Sequence, residues 1–352
     1  MRRANAIFAA SIRLVFLLAC TGAACGGATQ RPSSFLEEAP PEGPGASAAP
    51  AAPDLVRRVY TYKTVGTLEL QADVYRLSNF VVGPIIVFIH GGALLGGDRT
   101  IIPDQLQPLA RAGYVVVSID HRLAPETKLP AIVEDVRDAI VWARGEGAHV
   151  FQGDPERLAV LGISSGAYLA QLAGSHVDPP PRAIISLWGF SDILADFFTQ
   201  PDPASLERTA LTREDAFRDV QDHEIAKRPA GTNAARLRLY CRQQGNWPQV
   251  VSGLDPASQA DAFAPLLPIR RVTPTHPPTL LAHGQEDREV PAEQSVRMST
   301  VLAQSNVPFE LLLVPGAGHG LDGVPAEETT RVYGRVRDFL ERHLAESGAA
   351  AD

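Results

Sequence analysis

Four short stretches carry residue types that can act together chemically. Gly162-Ile163-Ser164-Ser165-Gly166 fits the pattern G-x-S-x-G, with an apolar run before it and an Ala/Leu-rich segment after it. A serine on a tight strand-to-helix turn stands clear of a sheet, and flanking glycines let neighbouring backbone approach it. In this register Ser164 is the candidate nucleophile. Ser165, at the start of the helix, offers its backbone N–H to developing negative charge. The second stretch, His90-Gly91-Gly92-Ala93, ends an apolar run. Glycine N–H groups there are unobstructed, so Gly91, Gly92 and Ser165 are candidate oxyanion donors. His90 is read as shaping that loop, not as a base.

Asp287 lies in "HGQEDREVP" and His319 in "GAGHG", each in a polar or glycine-rich loop just after an apolar run. A serine hydroxyl is a weak nucleophile until an imidazole takes its proton, and the imidazole needs a carboxylate to fix its tautomer. Ser164, His319 and Asp287 therefore form a candidate triad for acyl transfer. Glu286, Glu289 and Asp322 are rival acids. The other histidines show no H-x-x-x-H pair or similar grouping, so no metal and no cofactor is expected. Cys241 reads as an inert thiol. Phe190, Phe197, Phe198, Tyr240 and Trp247 are candidates to line a substrate pocket.

Such residues need a frame. Short apolar runs at residues 85–89, 114–119, 158–161, 183–187, 279–282 and 309–314 suit strands buried on both faces of a parallel sheet. Helical patterns alternate with them, at about 103–112, 130–144, 166–174, 292–304 and 327–343. The alternating stretch 58–76 suits two antiparallel strands at a sheet edge. The expected fold class is α/β, a doubly wound, mostly parallel sheet. One interval breaks the rhythm: residues 188–278 hold no clear strand, and helices are expected near 215–227 and 233–244. This is read as a helical lid, about 190–275, inserted between the nucleophile and acid strands.

The N-terminus differs from the rest. Arg2, Arg3 and Arg13 precede a short apolar run and small residues, the layout of an export signal over residues 1–25. That run is far short of a membrane span, which takes about 20 residues. "LLAC" makes Cys20 a candidate for lipidation, with Cys25 and simple cleavage as alternatives, so any membrane contact is expected through an N-terminal lipid anchor. Residues 26–54, rich in Pro, Ala, Gly and Ser, read as a disordered tether, and 55–347 as the catalytic domain. The protein is expected at the cell envelope, in the periplasm or secreted. The net charge of −8 over 352 residues and the lack of any basic run argue against a nucleic-acid partner. Three cysteines, two of them in the first 25 residues, indicate no disulfide framework.

The motifs "HGGA" (90–93), "DHRLAPE" (120–126), "LPAIVEDVRDAIVWAR" (129–144), "GISSG", "HGQEDREVP" and "GAGHG" resemble those of the α/β-hydrolase superfamily. The resemblance is to its esterase/lipase branch with an HGG-type oxyanion loop, over about residues 57–345. It implies a serine carboxylesterase acting on a small-molecule ester through an acyl-enzyme, with Ser164, Asp287 and His319 as triad in the superfamily's chain order. It also implies that Asp120 and Arg122 brace the oxyanion loop. Three departures stand out: Ala93 replaces a third glycine, Ser165 stands where an Asp-Ala-like pair is usual, and the lid lies between serine and acid instead of at the N-terminus. Prolyl-oligopeptidase-like enzymes share the triad order but carry a β-propeller, for which the tether leaves no room. A catalytically inactive hydrolase fold acting as a binding protein is the other alternative.

Overall fold

The computed structural model describes residues 53–79, 81–229, 231–232 and 234–345. The export signal, Cys20, Cys25 and all but the last two residues of the expected tether lie outside the described residues.

Eight strands form one sheet: β1 (Leu55–Val65), β2 (Leu68–Leu77), β3 (Gly83–Ile89), β4 (Val115–Ile119), β5 (Gly153–Ile163), β6 (Ala183–Leu187), β7 (Thr279–Gly284) and β8 (Phe309–Val314). Their order is β1-β2-β4-β3-β5-β6-β7-β8. The hairpin β1–β2 is antiparallel and joins β4 antiparallel, whereas β3 to β8 run parallel with β4. The helices are α1 (Gln107–Arg111), α2 (Leu129–Arg144), α3 (Glu146–Phe151), α4 (Ser165–His176), α5 (Asp196–Thr199), α6 (Pro203–Leu206), α7 (Arg213–Phe217), α8 (Ala234–Gln244), α9 (Trp247–Ser252), α10 (Glu293–Gln304) and α11 (Ala326–His343).

The period of two along a strand sorts side chains to opposite faces. Ile85, Val87 and Ile89 of β3 join one apolar cluster with Ile132 and Val136 of α2 and Leu169 of α4. Ile86 and Phe88 join a second with Leu109 of α1 and Val336 and Phe339 of α11. Strand β5 divides the same way, with Leu158 and Val160 on one face and Ala159 and Leu161 on the other. Both faces are covered, so the central strands read as unbroken apolar runs. No described helix is long and apolar enough to cross a membrane.

Residues 188–278 contain α5 to α9 and two 3₁₀ turns but no strand among the described residues. The helix expected over 215–227 is confined to α7, which is capped by Thr212, whose hydroxyl accepts from the Asp215 N–H at 3.1 Å. Beyond it the backbone bonds to the 120–126 segment instead of to itself. The Gln221 N–H donates to Glu126 at 2.9 Å, and the Ile225 carbonyl accepts from the Leu123 N–H at 2.8 Å. Those cross-chain bonds displace helical ones.

Candidate active site

Strand β5 delivers Ser164 to the sheet's C-terminal edge and α4 begins at the next residue. The turn is tight because backbone meets backbone. A Cβ on Gly162 would lie 2.1 Å from the Gly166 carbonyl oxygen, and one on Gly166 would lie 2.2 Å from that of Ile89. Ser164 itself sits at φ 51°, ψ −121°, a conformation that costs a non-glycine residue about 1–3 kcal/mol.

Asp287 and His319 follow β7 and β8, the neighbours beyond β6. The structure brings all three residues together. His319 Nδ1 donates to Asp287 Oδ2 at 2.7 Å, and its Nε2 faces Ser164 Oγ at 3.1 Å. The other carboxylate oxygen of Asp287 accepts from the Glu289 and Val290 N–H groups at 2.8 and 2.9 Å. Of the rival acids, Glu289 instead pairs with Arg238 at 2.8 Å.

His283 also belongs to this group, though the sequence reading left it aside. It is fully buried on β7, with Nε2 2.9 Å from the Val290 carbonyl and 3.2 Å from Asp287 Oδ2. A carbonyl can only accept, so Nε2 carries the proton and Nδ1 accepts from the Ser295 hydroxyl at 2.7 Å. Burial alone would raise the pKa of Asp287. Hydrogen bonds from His283, His319 and the Val290 N–H outweigh it and hold the carboxyl well below the usual carboxylate range. The signal for His283 was its place four residues before the acid in "HGQED".

The Gly91–Leu95 loop packs against the serine, and a Cβ on Gly91 would lie 3.1 Å from that of Ser164. Ser165 offers more than its amide: its hydroxyl accepts from the Leu94 N–H at 3.2 Å. Ala93 and Leu94 both have positive φ, 57° and 62°. The peptide joining them is held at both ends, because the Ala93 carbonyl accepts from the Trp247 indole at 3.1 Å. His90 bonds to the Gly91 carbonyl at 2.8 Å and stacks on His121 with ring centroids 4.4 Å apart. Burial, then the neighbouring His90, pushes the His121 imidazole down to about 3.

Asp120 holds Arg99, just beyond this loop, whose backbone N–H and guanidinium donate to it at 2.9 and 2.6 Å. Arg122 does not touch the loop. It makes a two-pronged pair with Asp135 of α2, both contacts 2.8 Å, and reaches Glu224 at 2.7 Å. A fork of five donors matches two carboxylates better than loop carbonyls. The guanidinium that does reach the loop is Arg228, bonded to the Leu95 and Ala124 carbonyls at 2.8 Å each and held by Glu126. Nothing in its sequence neighbourhood pointed to that role, since Leu95, Ala124 and Glu126 are over a hundred residues away.

A cavity of about 290 Å³ opens on Ser164. Phe190, Phe197, Phe198 and Trp247 line it, together with Cys241, whose thiol burial pushes up to about 12. Tyr240 instead packs on Phe217, at 5.9 Å between centroids. No group of three or more potential metal ligands occurs among the described residues.

Sheet order and strand-end placement define the α/β-hydrolase fold, and comparison with known proteins agrees. The chain belongs to the BD-FAE family, whose match spans residues 73–302. It is 31% identical over 277 residues to esterase LipC of Mycobacterium tuberculosis, covering 77% of this chain and 61% of that protein. It is 28% identical over 335 residues to the non-reducing polyketide synthase ausA of Aspergillus calidoustus, covering 79% of this chain and 14% of the synthase. The chain thus spans less than two thirds of the length of these relatives. Among solved structures, a Staphylococcus aureus protein of unknown function superposes with TM-score 0.66 at 22% identity, over 82% of this chain and 99% of its own. The acetyl ester-xyloside bifunctional hydrolase of Caldicellulosiruptor lactoaceticus does so with TM-score 0.59 at 20% identity, over 83% and 98%.

Proposed function

We propose that this protein is a serine carboxylic-ester hydrolase working through an acyl-enzyme. The observation that carries the reading is the line Ser164 Oγ, His319, Asp287 at a cavity with an aromatic lining. His319 Nε2 takes the serine proton as Oγ attacks the ester carbonyl, and Asp287 stabilises the imidazolium that forms. The N–H groups of Gly91, Gly92 and Ser165 receive the oxyanion, each such donor being worth about 3–4 kcal/mol in the transition state. His319 then protonates the departing alcohol, leaving Ser164 acylated. Water, deprotonated by the same imidazole, releases the acid and restores the serine. The likeness to LipC, an esterase, and to the Caldicellulosiruptor acetyl ester-xyloside hydrolase supports ester substrates. The insertion between β6 and β7 serves as the lid over this site.

Ser164→Ala is the direct test. Hydrolysis of p-nitrophenyl acetate should fall by about 10⁵–10⁶-fold, as loss of a serine nucleophile does elsewhere, and labelling by a fluorophosphonate probe should vanish. Near-wild-type turnover in the variant would reject the mechanism, and cleavage of peptide amides in preference to esters would reject the substrate class. Export with lipidation at Cys20 completes the proposal, on the strength of the arginines and apolar run before it. Cys20→Ser should then move the protein from the detergent phase to the aqueous phase on Triton X-114 partitioning.

A further inference from the structure

The cavity on Ser164 has two chemically distinct ends. Its buried side is aromatic: Phe190 meets Phe198 at 4.8 Å and Trp247 at 5.6 Å between centroids, and Phe198 stacks on Trp247 at 4.7 Å. Its solvent side carries four guanidinium groups, from Arg208, Arg238, Arg242 and Arg288, against two carboxylates, Asp202 and Glu289. Those two acids are already engaged. Glu289 pairs with Arg238 at 2.8 Å and Asp202 with Arg242 at 3.1 Å. Arg208 and Arg288 line the same cavity and have no carboxylate partner among the described residues. The four arginines are scattered along the chain and only the fold gathers them, which is why no basic run is visible in the sequence.

Two uncompensated positive charges at one cavity are notable in a chain of net charge −8, whose long-range field disfavours anions. Guanidinium matches carboxylate and phosphate with paired donors, and aromatic walls take an apolar body or ring. Resting on the hydrolase reading above, we infer that the substrate is an anionic ester, one whose apolar or aromatic arm carries a carboxylate or phosphate. The aromatic side holds that arm, and Arg208 and Arg288 hold its charge while the carbonyl reaches Ser164.

Two matched pairs test this. 4-Acetoxybenzoate against 4-acetoxybenzamide places the charge on the leaving arm. 4-Nitrophenyl hydrogen terephthalate against 4-nitrophenyl 4-carbamoylbenzoate places it on the acyl arm. Each kcat/KM is corrected for that ester's rate of alkaline hydrolysis. In at least one pair the anionic member should lead by about fivefold or more in dilute buffer, as charge-assisted bonds require. The lead should shrink towards parity in about 0.5 M salt, where screening acts within a few ångströms. In the double variant Arg208→Gln/Arg288→Gln the ratio should fall to about one, and because it is taken within one protein the folded fraction cancels. Hydrolysis with ratios at or below one in both pairs overturns the inference alone, as does a ratio unchanged in the double variant. If p-nitrophenyl acetate is hydrolysed but none of the four esters is, the inference alone falls; if p-nitrophenyl acetate is not hydrolysed either, the hydrolase reading falls and the inference with it.

Discussion

Replacing the second serine is more informative than replacing the first. In Ser165→Ala the backbone N–H proposed to receive the oxyanion is kept, and only the hydroxyl that accepts from the Leu94 N–H is lost. Leu94 is completely buried, so the orphaned N–H has no water to turn to, and an unsatisfied buried donor costs about 1–3 kcal/mol. At about 2 °C per kcal/mol for a domain of this size, the melting temperature should drop by about 2–6 °C. The freed group sits in a two-residue left-handed stretch that already stores strain, so the Gly91–Leu95 loop should loosen with it. Outright loss of an oxyanion donor costs about 10²–10³ in kcat, and a donor displaced but not deleted should cost less, about 3–30-fold. The assay pairs thermal melts with steady-state hydrolysis of p-nitrophenyl acetate for wild type, Ser164→Ala and Ser165→Ala. Equal loss of turnover from both substitutions would refute the assignment of the nucleophile. A Ser165→Ala variant matching wild type in both melt and kcat would refute the role of the hydroxyl.

Four further outcomes follow from the same geometry. His283→Asn should lower kcat about tenfold with KM nearly unchanged, because a hydrogen bond to a buried carboxylate worth about 1.5–3 kcal/mol then no longer fixes Asp287; a change confined to KM would contradict this. Buried His121 stays neutral down to about 3 while an unfolded chain protonates near 6.5, so the unfolded state binds the extra proton in that window. Denaturant titrations should therefore show stability falling on acidification below about pH 6.5, by up to about 1.4 kcal/mol per pH unit from this group, with a shallower slope in His121→Gln. Asp287 acts lower on the scale: its depressed value contributes stability at neutral pH that is lost only on acidification into and below the usual carboxylate range, so Asp287→Asn should flatten that last acid limb. Arg122→Ala should destabilise by about 3–5 kcal/mol, since Asp135 is left buried with only Lys63 to answer its charge.

The sheet was legible in the sequence because strands buried on both faces leave unbroken β-branched runs. The bounds of β6 and β8 agree with the residues read from pattern alone. Strand β5 runs longer, over Gly153–Ile163, because its first residues are polar and carry no apolar signal. The short helix α3 was not among the helical patterns read, because six residues are too few to show a period. The insertion was the least legible part, since helices of four or five residues have too few turns to show a period. Their ends are set by local caps such as Asp202 on the Ser205 N–H. Ser164, Asp287 and His319 could be read from loop position and chain order. Arg228 and Trp247 could not, since each acts on the oxyanion loop across a separation that only the folded chain closes.

The close approach of Gly162 to Gly166, and of Gly166 to Ile89, has a consequence for how specificity can change. Ser164 is registered against the sheet by main chain resting on main chain, with no rotamer in between, so substitutions in surrounding side chains hardly reach it. Most of the cavity wall, by contrast, comes from a single stretch of chain between β6 and β7. Most of the pocket is therefore carried on one excisable cassette, moored by Glu224, Arg228 and Trp247, while Arg288 belongs to the frame. Exchanging that cassette between proteins of this fold, moorings included, should transplant a pocket while leaving the reacting oxygen where it was.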